Sequence, residues 1–283
     1  MNKNLVLIFL FATFSVSSYA QQIDSFGTPQ SNERQHVYNI RPWVDIPVSV
    51  VFAGLTLHGF SVIYGRDDIP VAEIMALNKN NINKFDRGAT NNYSVEAKKT
   101  SDLFFYGSMP LPLALLLDKE IRKDGPRVGL LYLEAMTITG IFYTTSAMIA
   151  DRIRPYSYNP NAPMDTRKSG GSRNSFIGGH PALVATATFF MAKVYSDYHP
   201  GMRGKWILFA SAGALTAVTA YLRLKAGQHF PTDLIAGVTI GSLVGILAPH
   251  IHKNKKMTSQ RLTLLPNYQN GNTGFTAFYK LNK

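Results

Sequence analysis

The sequence predicts an all-α fold: a membrane-associated bundle of about six apolar helices, with a short β-hairpin expected at the C-terminus. Three observations carry this. Apolar segments recur at 46–64, 102–118, 127–150, 176–195, 205–222 and 233–251. No strand alternation is sustained before residue 260. Charged residues make up only 16% of the chain, a share that leans toward membrane contact. A mean hydropathy of −0.03 keeps that lean mild.

Taken in order, Lys3 is followed by an apolar run from Leu5 to Phe14, then by Ser18-Tyr19-Ala20 before Gln21. A positive start, a short apolar core and small residues at −3 and −1 predict a signal peptide over 1–20 and export to the cell envelope. The polar stretch 21–42 has no clear period and reads as a loose arm. With the first apolar segment and the surface stretch 65–100, it forms an N-terminal part, 21–100. A helical core is expected over 101–252 and a basic tail over 253–283, with a turn at Asn270-Gly271. Small residues in the later segments, such as Gly237, Gly241 and Gly245, suit close helix packing.

Positive residues prefer the cytoplasmic side of a membrane. That rule places 119–127 and the tail inside, and the loops 151–175 and 223–232 outside. With residue 21 also outside, 46–64 cannot cross unless another segment also fails to, and a wholly soluble bundle would remove the conflict as well. Asp45, Pro47 and His58 point to 46–64 as the non-spanning segment.

The net charge of +12 attracts anions such as phosphates and acidic headgroups. No basic tract interleaved with aromatics appears, so nucleic acid is not an expected partner. The chain has no cysteine, which excludes disulfides, thiolate metal sites and cysteine nucleophiles.

Three clusters at the ends of apolar segments carry chemistry. The first is Arg152-Ile153-Arg154-Pro155, the second Ser175 to His180, the third Arg223 to Asp233. His229 and Asp233 are four apart; if helical there, they share a face and Asp233 can hold the imidazole through its Nδ1 proton. The other ring nitrogen is then an oriented nucleophile. Pro231 complicates that helix and can place its start near His229. Arg223 lies close enough in sequence to bind the oxygens of the group attacked, and Arg154 offers a bidentate clamp. Gly178 and Gly179 permit close backbone approach of an anion at a helix start, and His180 could protonate a leaving oxygen. Each element alone has a plainer explanation, as interfacial cation, loop or cap. Their convergence on one oxyanion pocket is harder to explain away.

The chain resembles the type 2 phosphatidic acid phosphatase and vanadium haloperoxidase superfamily, and envelope members from Bacteroidetes-like bacteria within it. The family motifs are Lys-x6-Arg-Pro, Pro-Ser-Gly-His and Ser-Arg-x5-His-x3-Asp. Arg154-Pro155 matches the end of the first, Gly179-His180 the end of the second, and Arg223, His229 and Asp233 the third at full spacing. The resemblance covers about residues 100–250. It implies a helical-bundle phosphatase acting on a phosphate monoester or pyrophosphate, with a lipid-linked substrate favoured by the apolar bundle. His229 would form a phosphohistidine, Asp233 would orient it, His180 would be the general acid, and Arg154 and Arg223 would hold the phosphoryl oxygens. No metal or cofactor is required by that mechanism.

Four motif positions depart from the pattern: Ala147 for the lysine, Ile177 for the proline, Gly178 for the serine before Gly179, and Leu222 for the serine before Arg223. Losing a preorganised donor of this kind costs about a hundredfold in rate. Arg152 and Lys225 are the cations placed to compensate. The departures keep open a relative that binds a phosphorylated lipid without turnover, and the vanadate chemistry of the superfamily leaves a haloperoxidase as a third reading.

Overall fold

The computed structural model describes residues 36–254, 262–269 and 272–279. The expected signal peptide, the arm before residue 36, Lys255, Lys256 and the turn residues Asn270 and Gly271 lie outside the described residues. Six long helices form the bundle: α1 (Pro42–Tyr64), α2 (Val95–Ser108), α3 (Gly125–Ala150), α4 (Gly179–Tyr198), α5 (Lys205–Lys225) and α6 (Pro231–Ile251). Beyond them, strands β1 (Leu262–Gln269) and β2 (Asn272–Tyr279) pair antiparallel with Gln269 opposite Asn272, the hairpin expected from the sequence.

Local chemistry sets the helix starts. The hydroxyl of Ser94 accepts the N–H of Ala97 at 3.1 Å and caps α2. Pro42, Pro126 and Pro231 stand in the first turns of α1, α3 and α6, where a missing N–H costs nothing. The apolar segment 102–118 is not one helix. After α2 ends at Ser108, Pro110 and Pro112 break it, and Leu111–Leu117 continues as a 3-10 helix. The start of α2 at Val95 draws the polar residues 95–101 into the helix.

Helix α4 is central, packing against α2, α3, α5 and α6. Its pairing with α6 is a backbone-close contact. A Cβ on Gly237, Gly241 or Gly245 would strike the carbonyl oxygens of Gly178, Ala182 and Thr186 respectively. The small-residue stripe of α6 therefore removes side chains to let two backbones meet. Thr186 Oγ1 then donates to the Gly241 carbonyl at 3.2 Å. Helices α1 and α3 meet in the same way, through Gly59 against Thr144 and Gly140 against Thr56.

The described part of the expected loose arm is pinned. Asn39 donates to the His252 carbonyl at 2.8 Å and Asn254 to the Val37 carbonyl at 2.9 Å, so 36–39 runs beside the end of α6.

Among the described residues, three helices are long and apolar enough to cross a membrane: α1, α5 and α6. They turn large apolar side chains outward, among them Trp43, Leu57, Trp206 and Ile251, as lipid-facing helices do. Helix α1, over the segment 46–64 expected not to cross, is one of the three. By length and composition α1 qualifies, and the broken segment 102–118 does not.

Candidate active site

Helix α5 ends with Arg223 and Lys225, and the chain turns at Gly227 into the start of α6. Gly227 has φ +69°, and a Cβ there would strike the carbonyl of Asn92. Only glycine fits this turn. The turn is pinned from outside: Asn92 Nδ2 donates to the Leu224 carbonyl at 3.0 Å, and Tyr156 N–H to the Gly227 carbonyl at 2.9 Å. His229 is carried on this pinned loop, just ahead of α6, and is 1% exposed.

His229 Nδ1 lies 2.7 Å from the carbonyl oxygen of Ser175. A carbonyl only accepts, so Nδ1 carries the proton and Nε2 keeps its lone pair. The expected direct bond from Asp233 is not what the structure shows. His229 precedes the first residue of α6, so it and Asp233 share no helical face. Asp233 acts one residue removed: it accepts the Ser175 hydroxyl at 2.6 Å and the Phe230 N–H at 2.9 Å. It thereby fixes the residue whose carbonyl fixes the imidazole.

Arg152 donates to Asp233, to Asp86 at 2.7 Å and to Thr232 Oγ1 at 2.9 Å, and stacks on the Phe230 ring at 4.1 Å. Asp86 also accepts the Thr232 N–H at 3.0 Å and its hydroxyl at 2.6 Å, capping α6 from a distant segment. Arg152 is thus committed to Asp86 and Asp233 and does not replace the cation absent at Ala147. Lys225 does not either; its Nζ lies over the Tyr221 ring at 5.4 Å.

Arg154 and Arg223, 8% and 2% exposed, are the cations that weigh on the imidazole. Arg154 is held by its Nε to the Gly171 carbonyl at 3.1 Å and by Nη1 to Gln228 Oε1 at 2.6 Å. Arg223 ion-pairs with Asp102 through Nη2, while its buried Nε has no hydrogen-bond partner among the described residues. His180, in the first turn of α4, places Nε2 3.4 Å from the same Asp102 oxygen. Its ring packs on Phe105, with centroids 4.2 Å apart.

These groups act on each other. Burial, then Arg154 and Arg223, hold the His229 pKa well below its ordinary 6.5, and His180 adds to the effect. Burial also takes His180 down to about 4 against the pull of Asp102, with Arg223 and Arg154 pushing the same way as burial. His229, His180, Arg154 and Arg223 thus lie close enough to shift one another's protonation, and Asp102 joins two of them, Arg223 and His180. Of the two glycines, Gly178 does not offer its N–H to an anion as expected. Gly178 donates its N–H to the Asp233 carbonyl at 2.8 Å, and a Cβ on Gly179 would meet the Tyr143 ring at 2.8 Å. At these two positions glycine serves helix packing.

Residues 128–257 match the PAP2 superfamily. The chain carries a PAP2 superfamily domain. Among curated proteins it is similar to one named undecaprenyl-diphosphatase from Sulfolobus acidocaldarius, 26% identical over 148 residues, which is 52% of this chain and 64% of that protein. The chain thus spans less than two thirds of that relative's length. Among solved structures it is similar to a transmembrane PAP2 type phosphatidylglycerolphosphate phosphatase from Bacillus subtilis. That likeness has a TM-score of 0.46 and 17% identity, and covers 77% of this chain and 100% of the other.

Three residues at the pocket stand before the PAP2 domain: Asp86, Asn92 and Asp102. Sequence reasoning missed them. Asp102 fell at the edge of an apolar segment and Asp86 in a stretch read as surface turn. A lone carboxylate at the margin of an apolar run was the available signal for Asp102.

Proposed function

We propose that the protein is a phosphatase that hydrolyses a lipid-linked phosphate ester, with His229 as nucleophile. One observation carries this reading. Two buried guanidinium groups weigh on both imidazoles, Asp102 joins Arg223 to His180, and the buried Nε of Arg223 has no acceptor among the described residues. A buried donor left unpaired is costly, and a phosphoryl oxygen is an acceptor that fits between two arginines.

In this reading His229 Nε2 attacks phosphorus and the P–O bond to the leaving group breaks. His180 gives its proton to the leaving oxygen, and Arg154 and Arg223 hold the equatorial oxygens. Water then attacks the phosphohistidine, His180 takes the water proton, and orthophosphate leaves. The ring of His180 is neutral at pH 7 in the free pocket, since its pKa is held near 4. A dianionic phosphate beside it restores the charged form.

The membrane-type helices α1, α5 and α6 support a lipid substrate, and the leader-like residues 1–20 support work outside the cytoplasm. A second reading, binding of a phosphorylated lipid without turnover, is favoured by the ion pair that Asp102 makes on Arg223 and by alanine at position 147.

The test is phosphate release by the full chain in detergent, from lipid monophosphates, isoprenoid diphosphates and small esters. Release that falls at least a thousandfold in His229→Ala, with unchanged circular dichroism, is expected on the order of magnitude seen for lost nucleophiles. Equal release by the variant overturns the proposal. Binding of phosphate with no release by either protein selects the second reading.

A further inference from the structure

The charge on the leaving-group side of the pocket separates two substrate classes that the phosphatase reading leaves together. Asp102 Oδ1 lies at ion-pair distance from Arg223 Nη2 and 3.4 Å from His180 Nε2. Those are a group assigned to the phosphoryl oxygens and the group assigned to the leaving oxygen. Asp102 is 30% exposed at its side chain, so it borders the pocket rather than standing behind it. It comes from α2, outside the PAP2 domain.

The geometry points to Asp102 as a specificity residue that favours a phosphate monoester over a diphosphate of the same lipid. The inference rests on the phosphatase reading. The argument is a charge count at one place. In a monoester the leaving group is an alcohol, neutral once His180 has protonated it. In a diphosphate the leaving group is itself a phosphate monoester, and it must sit beside His180, where Asp102 already is. Two anions a few ångströms apart repel by enough to cost on the order of ten- to a hundredfold in rate at the pocket edge.

Nothing nearby cancels that cost. Burial opposes the charge on Asp102, but His180, Arg223 and Lys98 outweigh it and keep its pKa below the ordinary carboxylate value. With phosphate bound, Arg154, Arg223 and the protonated His180 supply three positive charges, Asp102 removes one, and position 147 adds none. Arg152 is committed to Asp86 and Asp233. A terminal phosphoryl group is served by this balance. A second phosphate at the leaving side is not, unless it is met by Lys98, which is solvent-exposed and screened.

The experiment compares farnesyl monophosphate with farnesyl diphosphate on the full chain in detergent, so that lipid tail and micelle partition are shared. Wild type is expected to show a kcat/KM ratio of at least about ten in favour of the monophosphate. Asp102→Asn, which keeps size and hydrogen bonding, is expected to lower that ratio about tenfold. A wild type that prefers the diphosphate, or an unchanged ratio in the variant, overturns the inference. If the variant is inactive or unfolded, inhibition of wild type decides. Orthophosphate competing at least as well as pyrophosphate supports it, and pyrophosphate competing tenfold better overturns it. Undiminished release by His229→Ala marks failure of the phosphatase reading itself, whatever the ratio.

Discussion

The two ends of α4 carry charged clusters of similar composition and opposite saturation. At the C-terminal end, Asp197 is bonded to Tyr38 Oη at 3.0 Å, to Lys253 Nζ at 2.7 Å and to Lys193. Beside it Asp124 accepts Tyr198 Oη at 2.8 Å and stands 2.7 Å from His36 Nδ1. At the N-terminal end, about 25 Å away along the helix, stand Arg154, Arg223, His180 and His229, and among the described residues Arg223 and His180 share one carboxylate, Asp102. Where donors and acceptors match, the cluster holds the fold together. Where buried donors outnumber acceptors, the cluster has the makings of an anion site. The difference is one of bookkeeping among neighbours and not of residue type.

The sharpest way to break the comparison is to truncate one member at each end. Arg223→Ala removes a buried donor aimed at the proposed phosphate. A loss in kcat/KM on the order of a thousandfold is expected, as for removal of a transition-state donor. Arg223→Lys should recover only part of it, because an ammonium lacks the planar fork. Steady-state phosphate release checks both. Activity within tenfold of wild type in the alanine variant would place Arg223 with the structural cations.

Asp197→Asn tests the other end. Asp197 is 7% exposed at its side chain, and its loss leaves Lys193 and Lys253 without their counter-charge. Breaking a buried pair on one side costs roughly 3 kcal/mol, seen as a lower Tm by thermal melting. Activity per folded molecule should stay at the wild-type value. A variant that melts normally but hydrolyses slowly would erase the distinction between the two ends.

What the sequence revealed follows the reach of each signal. The six apolar segments reported the bundle because helix burial is a local pattern. The breaks at Pro110 and Pro112 were visible too, but an apolar average over 102–118 hid them. In the pocket, Arg223 and His229 were legible because one turn fixes their spacing. The pairing of His229 with Asp233 was misread because a four-residue interval means one face only inside a helix, and Pro231 starts α6 after the histidine. The Ser175 carbonyl that takes the place of Asp233 carries no side-chain signature. Asp86, Asn92 and Asp102 act across more than 100 residues of chain. No spacing rule in a single sequence reports such contacts.

The smallest expected effect separates the ends by pH. His229 is buried among positive groups, so its folded pKa lies well below 6.5 while the unfolded ring titrates near 6.5. The proposed nucleophile is the neutral ring, so the acidic limb that His229 sets in kcat/KM should lie well below pH 6.5. Arg154→Gln removes the cation that, after burial, weighs most on this ring. The acidic limb should then move up, toward 6.5, by about one pH unit, over and above the drop in absolute rate from the lost clamp. The same shift appears in stability with a fixed sign. Below pH 6.5 the unfolded chain binds a proton that the folded ring refuses, so the contribution of His229 is whole above 6.5 and is lost as pH falls. Thermal melting of wild type and His229→Gln between pH 7.5 and 5 should therefore converge toward acid. A limb that stays put in Arg154→Gln, or melting curves that run parallel, would mean that the ring at 229 does not feel the arginine beside it, and the pocket would lose its claim to act as one electrostatic unit.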